Sequence, residues 1–142
     1  MYEVSGVPHK DIHRVLPCID KYLDKVIPYT GGRYEKQDIV EGILKKELDL
    51  WVPINTKEDS IDGVGVTQFT VYPRKKVFTI LLCCGDNLNQ WYGPIFDMLY
   101  QFASLNECNL AEVIGRKGWV RRLKDDGFKQ SVWIVEREIN HG

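Results

Sequence analysis

The sequence predicts an α/β protein built on a mixed, mostly antiparallel sheet with helices on both faces. Three observations carry this. Apolar residues recur at helical spacing between Ile12 and Leu44, at strand spacing between Leu48 and Val71, and in alternating helix and strand patterns thereafter. The run Val77-Phe78-Thr79-Ile80-Leu81-Leu82-Cys83-Cys84 is apolar on both sides, as in a strand covered on both faces. Strands alternating with helices in the second half require parallel crossovers, whereas the middle reads as an antiparallel meander. With 142 residues, 44% of them hydrophobic and 27% charged, residues 1–142 have the size and composition of one domain.

The elements follow in order. Tyr2 to Val7 reads as a short strand before Pro8. Ile12, Val15, Leu16, Ile19, Leu23 and Val26 then share a helix face, with Pro8 in the first turn and Pro17 expected to kink or split the helix. Thr30-Gly31-Gly32 breaks it, and Ile39, Val40, Ile43 and Leu44 mark a second helix. Leu48, Leu50, Val52 and Ile54 alternate as a strand, Asn55 to Asp62 reads as a turn, and Val64, Val66, Phe69 and Val71 form the next strand. Its alternation slips near Thr67-Gln68, which predicts a β-bulge. After the turn at residues 72–76 comes the central strand, then a loop from Gly85 to Asn89, then a helix with Ile95, Met98, Leu99, Phe102 and Leu105 on one face and Pro94 in its first turn. Leu110 to Ile114 is a strand, and Trp119, Val120 and Leu123 mark a short helix closed by Gly127. A last strand is expected from Phe128 to Ile139, long enough to hold the sheet edge or cross to a partner.

Composition narrows the function. A formal net charge of −1 creates no global field for nucleic acid or an anionic membrane. Cys18, Cys83, Cys84 and Cys108 include no CxxC pair, and neighbours on a strand point to opposite faces, so reduced thiols and no metal are expected. His9 and His13 have the spacing of a zinc pair without a third ligand nearby. No apolar stretch is long enough to span a bilayer and the first residues lack a secretory pattern, so a cytoplasmic protein is expected.

Three segments carry a resemblance to a known family: Val64 to Lys76, Val77 to Gly93, and residues 115–128, which read Gly-Arg-Lys-Gly-Trp-Val-Arg-Arg-Leu-Lys-Asp-Asp-Gly-Phe. A short helix ending in Gly-Phe before a final strand resembles the GNAT (N-acetyltransferase-like) superfamily. The Tyr-Pro-Arg-Lys-Lys turn and the Gly-Arg-Lys-Gly-Trp segment resemble small GNAT-like proteins of tailed bacteriophages and prophages. The resemblance covers nearly the whole chain. It implies a parallel strand pair at the sheet centre, acetyl-CoA as cofactor and an amine as acyl acceptor. For a phage protein it also implies the host cytoplasm or the virion as the location.

The chain departs from the enzymatic pattern at two places. Active relatives place Gln/Arg-x-x-Gly-x-Gly/Ala after the central strand, where backbone N–H groups cradle the pyrophosphate. Here that stretch is Cys84-Gly85-Asp86-Asn87-Leu88-Asn89-Gln90-Trp91-Tyr92-Gly93, without Gly-x-Gly and with the charge of Asp86. The family's general-acid Tyr, four residues before the Gly, is matched by Leu123, and its strand-end Asn by Arg116. The catalytic residues are therefore unknown. Glu35, Asp38, Glu41, His9 and His13 are the candidate bases, each also explained as a solvated surface group.

Cofactor contacts are expected from Cys84, Gly85, Asp86, Asn87, Asn89, Trp91, Tyr92 and Gly93, together with Arg116 and Lys117. Trp91 and Tyr92 equally suit closing the gap between splayed strands. The basic cluster Arg116, Lys117, Arg121, Arg122 and Lys124 suits either an anion or plain solvation. Two functions follow: an acetyl-CoA-dependent N-acetyltransferase, or a GNAT fold kept as a binding or assembly module for a virion or host protein, with Trp51, Trp91, Trp119 and Trp133 as anchors if exposed.

Overall fold

The computed structural model describes residues 1–114, 117–131 and 134–141, the side chains of residues 117 and 120 excepted. Strand β1 (Tyr2–Gly6) leads through a 3₁₀ turn at His9–Asp11 into α1 (Ile12–Val26). Pro17 lies inside α1 and does not divide it. The buried residues Ile12, Ile19, Tyr22 and Leu23 fix this helix to the sheet, and that packing outweighs the hydrogen bond that proline cannot donate. Gly31 and Gly32 take left-handed φ values of 67° and 76° and turn the chain toward α2 (Lys36–Leu44).

Helix α2 opens on a capping box. The Asp38 carboxylate accepts the Glu35 N–H at 2.8 Å, and the Glu35 side chain caps the N–H of residue 38. Two of the candidate bases are thus helix-capping groups, and the third, Glu41, accepts from Gln37 at 2.9 Å on the helix surface. His9 shares a hydrogen bond with the Leu44 carbonyl at 2.8 Å.

The meander comprises β2 (Asp49–Asn55), the two-residue β3 (Ser60–Ile61), β4 (Gly63–Val71) and β5 (Lys76–Gly85). The turn expected between β2 and β4 thus holds a small strand of its own, organised by Asn55, whose side-chain oxygen accepts the N–H groups of Lys57 and Glu58. Helix α3 (Leu88–Leu105), β6 (Leu110–Val113), α4 (Lys117–Leu123) and a 3₁₀ turn (Lys124–Asp126) complete the elements. Sheet order is β1-β2-β4-β5-β6, with β3 beside β2, and among the described residues only β5 and β6 run parallel.

The expected irregularity occurs at Val66/Thr67, but the extra residue belongs to the partner strand. Val66 faces Leu82 and Thr67 faces Ile80, leaving Leu81 of β5 unopposed. Strand β4 keeps strict alternation, with Val64 and Val66 under α1 and α2 and Phe69 under α3. Its apparent slip arises because both faces are covered. The last strand does not form: residues 128–131 and 134–141 carry no strand, and Val132 and Trp133 lie outside the described residues. Among the described residues the parallel pair therefore ends the sheet, with β6 at its edge.

Two cores flank the sheet. Ile19, Tyr22, Leu23, Ile39 and Ile43 pack on one side, and Trp91, Ile95, Phe96 and Leu99 of α3 on the other. No described helix is long and apolar enough to cross a membrane.

Candidate functional site

The site is set by how far two parallel strands stay together. β5 and β6 pair from Val77/Leu110 to Ile80/Val113, and β5 then continues to Gly85 with β4 as its only partner. The sheet opens there at its carboxyl end, where α3 begins, the place where ligands enter sheets of this kind. Asn87 caps α3 in a left-handed conformation with φ 57° and its carbonyl accepts the Gln90 N–H at 2.8 Å, which leaves the N–H groups of Leu88 and Asn89 without an acceptor within the helix.

Sequence reasoning put Gly85 to Asn89 in a loop, with Pro94 in the first turn of the next helix. Instead α3 starts at Leu88, so Asn89, Gln90, Trp91, Tyr92 and Gly93 are helical and Pro94 lies inside the helix. The fully buried Trp91 ring causes this early start, and its indole N–H donates to the Asp86 carbonyl at 2.8 Å. The ring occupies the space that Gly63 and Gly85 leave open. A Cβ on Gly85 would lie 2.3 Å from the Asp62 carbonyl oxygen and 2.9 Å from the indole, and one on Gly63 would lie 2.6 Å from it. Gly85 therefore serves close approach of β4, β5 and Trp91 rather than a phosphate cradle. Around Gly93 a Cβ would meet nothing within 4 Å.

On the α1 side, the Tyr22 hydroxyl donates to the Asp86 carboxylate at 2.9 Å, and burial followed by Asp86 pushes the Tyr22 phenol well above its ordinary range. The charge of Asp86 that counted against a polyphosphate is thus engaged by a phenol of α1. Cys84 turns to the same side, its thiol donating to the Tyr22 carbonyl at 3.3 Å. A recess of about 300 Å³ lies here, lined by Lys25, Val26, Tyr29, Cys84 and Gly85. From the α3-side core, Tyr2 donates to Asp62 and accepts from the Asn87 side chain at 3.1 Å, and the hydrogen bond from Tyr2, followed by those from Ser60 and Asn55, holds the Asp62 carboxyl below its usual range.

On the α3 side, Tyr92 is the hub. Its ring lies 4.8 Å from Phe96 and 6.4 Å from Trp119, its hydroxyl donates to Asp126, and the Arg122 guanidinium sits 5.2 Å above it. Arg122 also donates to the Asn89 side chain at 2.8 Å, bringing a cation to the first turn of α3. Burial and Asp126 push the Tyr92 phenol upward, and burial moves the Tyr100 phenol to about 12. Cys83, buried on this side, is raised to about 12 by desolvation, so it stays a thiol rather than a nucleophile.

Leu123 is buried in this core and carries no proton. Gly127 closes the 3₁₀ turn that follows α4, in the left-handed region with φ 84°. Trp51 and Trp91 are buried and cannot anchor a partner. Arg116 and Trp133 lie outside the described residues, and Lys117 is placed only as the first residue of α4. Among the described residues no group of three or more His, Cys, Asp or Glu side chains is arranged to hold a metal ion.

The structure thus brings together Cys84, Gly85, Asp86, Asn87, Asn89, Trp91 and Tyr92. It brings Arg122, a member of the basic cluster, to Asn89, and adds Tyr2, Tyr22, Asp62 and Asp126, which sequence reasoning missed as site residues. Those four are distant in the chain from the loop, so no local motif marked them.

No protein-family model and no curated protein sequence matches this chain. Solved structures do. A predicted acetyltransferase with acetyl-CoA from Clostridium acetobutylicum superposes with a TM-score of 0.69 at 15% identity, covering 100% of both chains. The fold is that of the GNAT acyltransferases. Glucosamine-6-phosphate N-acetyltransferase from Arabidopsis thaliana has a TM-score of 0.69 at 9% identity over 99% of each chain. Ribosomal-protein-alanine N-acetyltransferase from Brucella melitensis biovar Abortus 2308 has a TM-score of 0.69 at 10% identity, over 99% of this chain and 100% of its own. At such identities the likeness establishes the fold and leaves activity to the site.

Proposed function

We propose that this protein is an acetyl-CoA-dependent N-acetyltransferase that works chiefly by alignment. The observation that carries this reading is the opening between β5 and β6 beside the start of α3, with Arg122 held at that helix's first turn. The donor set fits an acyl-CoA pyrophosphate: first-turn N–H groups of α3 and a guanidinium from α4. When bound, the cofactor supplies the thioester. Asn87 and Asn89 would border the phosphates, and Tyr92 and Gly93 would flank them.

The amine acceptor belongs at the carboxyl end of β5, in the recess that Cys84 and Gly85 line together with Lys25, Val26 and Tyr29. Holding amine and thioester in contact supplies most of the acceleration, because proximity requires few special side chains. Leu123 offers no acid, so the departing thiolate takes its proton from solvent.

A second reading is a binding or assembly module without chemistry, acting in a phage particle or on a host protein. The contacts of Tyr92 with Trp119, Arg122 and Asp126 favour it, since they occupy the surface between α3 and α4 with the chain's own side chains. Titration with acetyl-CoA and CoA, followed by calorimetry and thermal unfolding, separates the two. Binding raises the melting temperature by mass action and directs the search to an amine. The absence of both heat and shift at millimolar ligand retires the enzyme and leaves the module.

A further inference from the structure

The recess assigned to the acceptor carries charge of one sign. Val26, Tyr29, Cys84 and Gly85 line it with Lys25, the only charged side chain among its described lining residues. Helix α1 is arranged to leave that cation unneutralised. Its two carboxylates, Asp20 and Asp24, turn to α2, where each meets the Lys36 ammonium at 2.9 Å. The Asp86 carboxylate, next to Gly85 in the chain, is held by the Tyr22 hydroxyl at 2.9 Å and does not line the recess. Among the described residues Lys25 pairs with no carboxylate.

The same polarity continues along the helix. Lys21 precedes Lys25 by four residues, so the two share one flank of α1. The Lys21 ammonium lies 5.0 Å from the centre of the Tyr22 ring and likewise pairs with no carboxylate among the described residues. It lines a second recess of about 660 Å³. That larger recess is mixed in charge, since Asp20 and Asp59 also line it, and the selection therefore falls to the smaller one.

A lone cation discriminates among amines. A diamine brings a further positive charge to Lys25 and is repelled, and a plain alkyl amine gains nothing from it. An amine that also bears an acidic group gains a charge-assisted hydrogen bond to the ammonium. The volume of about 300 Å³ lies at the small end of ligand sites, which suits a compound the size of an amino acid.

We propose, on the N-acetyltransferase reading, that the acceptor is a small amine carrying a carboxylate or phosphate, and that Lys25 recognises the acid. The neutral amine nitrogen forms the new N–C bond, the thioester C–S bond breaks, and the nitrogen's proton reaches the departing thiolate through solvent. Lys25 moves no proton in that step; its role is binding.

Coenzyme A release by the full-length protein tests this, once acetyl-CoA binding has been measured by calorimetry. The acceptors are amino acids and aminoalkyl phosphates, each beside the amide or alcohol that lacks the acid, with alkyl diamines as the opposite charge. Acid-bearing acceptors are expected to exceed their neutral partners about tenfold or more in kcat/KM, and the faster acid type tells carboxylate from phosphate. Lys25→Met should raise KM for them about tenfold while sparing kcat and the neutral partners, and Lys25→Arg should keep the preference. Lys25→Glu should shift preference toward diamines, a reversal that a merely structural lysine would not produce. Neutral acceptors or diamines used as well as the acids overturn the proposal, as do Lys25 variants that change every acceptor alike. So does a protein that binds acetyl-CoA and acetylates no member of the panel. Absence of acetyl-CoA binding is a different failure, read before any acceptor is added, and it removes the enzyme reading together with this inference.

Discussion

The two sides of the β5 carboxyl end solve the same packing problem differently. On the α3 side an aromatic ring fills the gap between strands: Trp91 is fully buried and its neighbours Tyr92, Phe96 and Trp119 continue the cluster toward α4. On the α1 side a polar contact holds the strand end, through Tyr22 to Asp86, and a recess stays open, while Tyr2, packed on the α3-side core, reaches Asp62. One side is secured by volume and the other by hydrogen bonds. The first tolerates little change in size, and the second little change in protonation.

The largest effect is expected at the ring. Trp91→Ala should cost about 3–5 kcal/mol, read as a lower urea midpoint at unchanged slope, because it leaves a cavity and strips the Asp86 carbonyl of its donor. A loss below about 1 kcal/mol would mean that α3 does not depend on this ring. Across the strand, Tyr22→Phe should cost about 1.5–3 kcal/mol, since it removes a hydrogen bond to a carboxylate without creating a large void. An unchanged melting temperature would show that the polar side contributes nothing to stability.

The outer rim should respond less. Tyr92→Phe keeps the stacked rings and loses only the contact to Asp126, for about 1 kcal/mol. If CoA enters between α3 and α4, the same variant should alter its affinity more than it alters stability.

The smallest effect is a difference in pH response between two carboxylates. Asp62 is held below its ordinary range, first by Tyr2, so its contribution is present above the unfolded value and lost as pH falls through the folded one. Asp49 is raised by burial, so its ionisation costs stability as pH rises through the ordinary carboxylate range. Asp49→Asn should therefore raise the melting temperature at neutral pH, with the gain fading in acid. Tyr2→Phe should flatten the acid limb of the stability curve. A gain from Asp49→Asn that persists unchanged at low pH would remove desolvation as its cause.

Much of this molecule is legible in its residues. The spacing of Ile12, Ile19 and Leu23 announces α1, the doubly apolar run from Val77 announces β5, and Gly127 announces the end of α4. Each is a local pattern, set by the period of an element or the conformation that glycine permits. Which strand carries the bulge was not legible, because covering β4 and β5 on both faces hides which alternation breaks. The early start of α3 was not legible either. Gly85 and Trp91 belong to one packing unit with Gly63, a residue remote from both in sequence.

The residues by themselves determined the element types and their order from β1 to the 3₁₀ turn after α4, apart from the small β3 and a last strand that residues 128–131 and 134–141 do not form. Only the tertiary structure decided that the opening is lined by Trp91 on one side and Tyr22 with Asp86 on the other, that Arg122 meets Asn89, and that β6 ends the sheet. Periodicity depends on neighbours in the chain. Partners across a sheet are chosen by volume and by the need of each buried polar group for a hydrogen bond, and neither leaves a local trace.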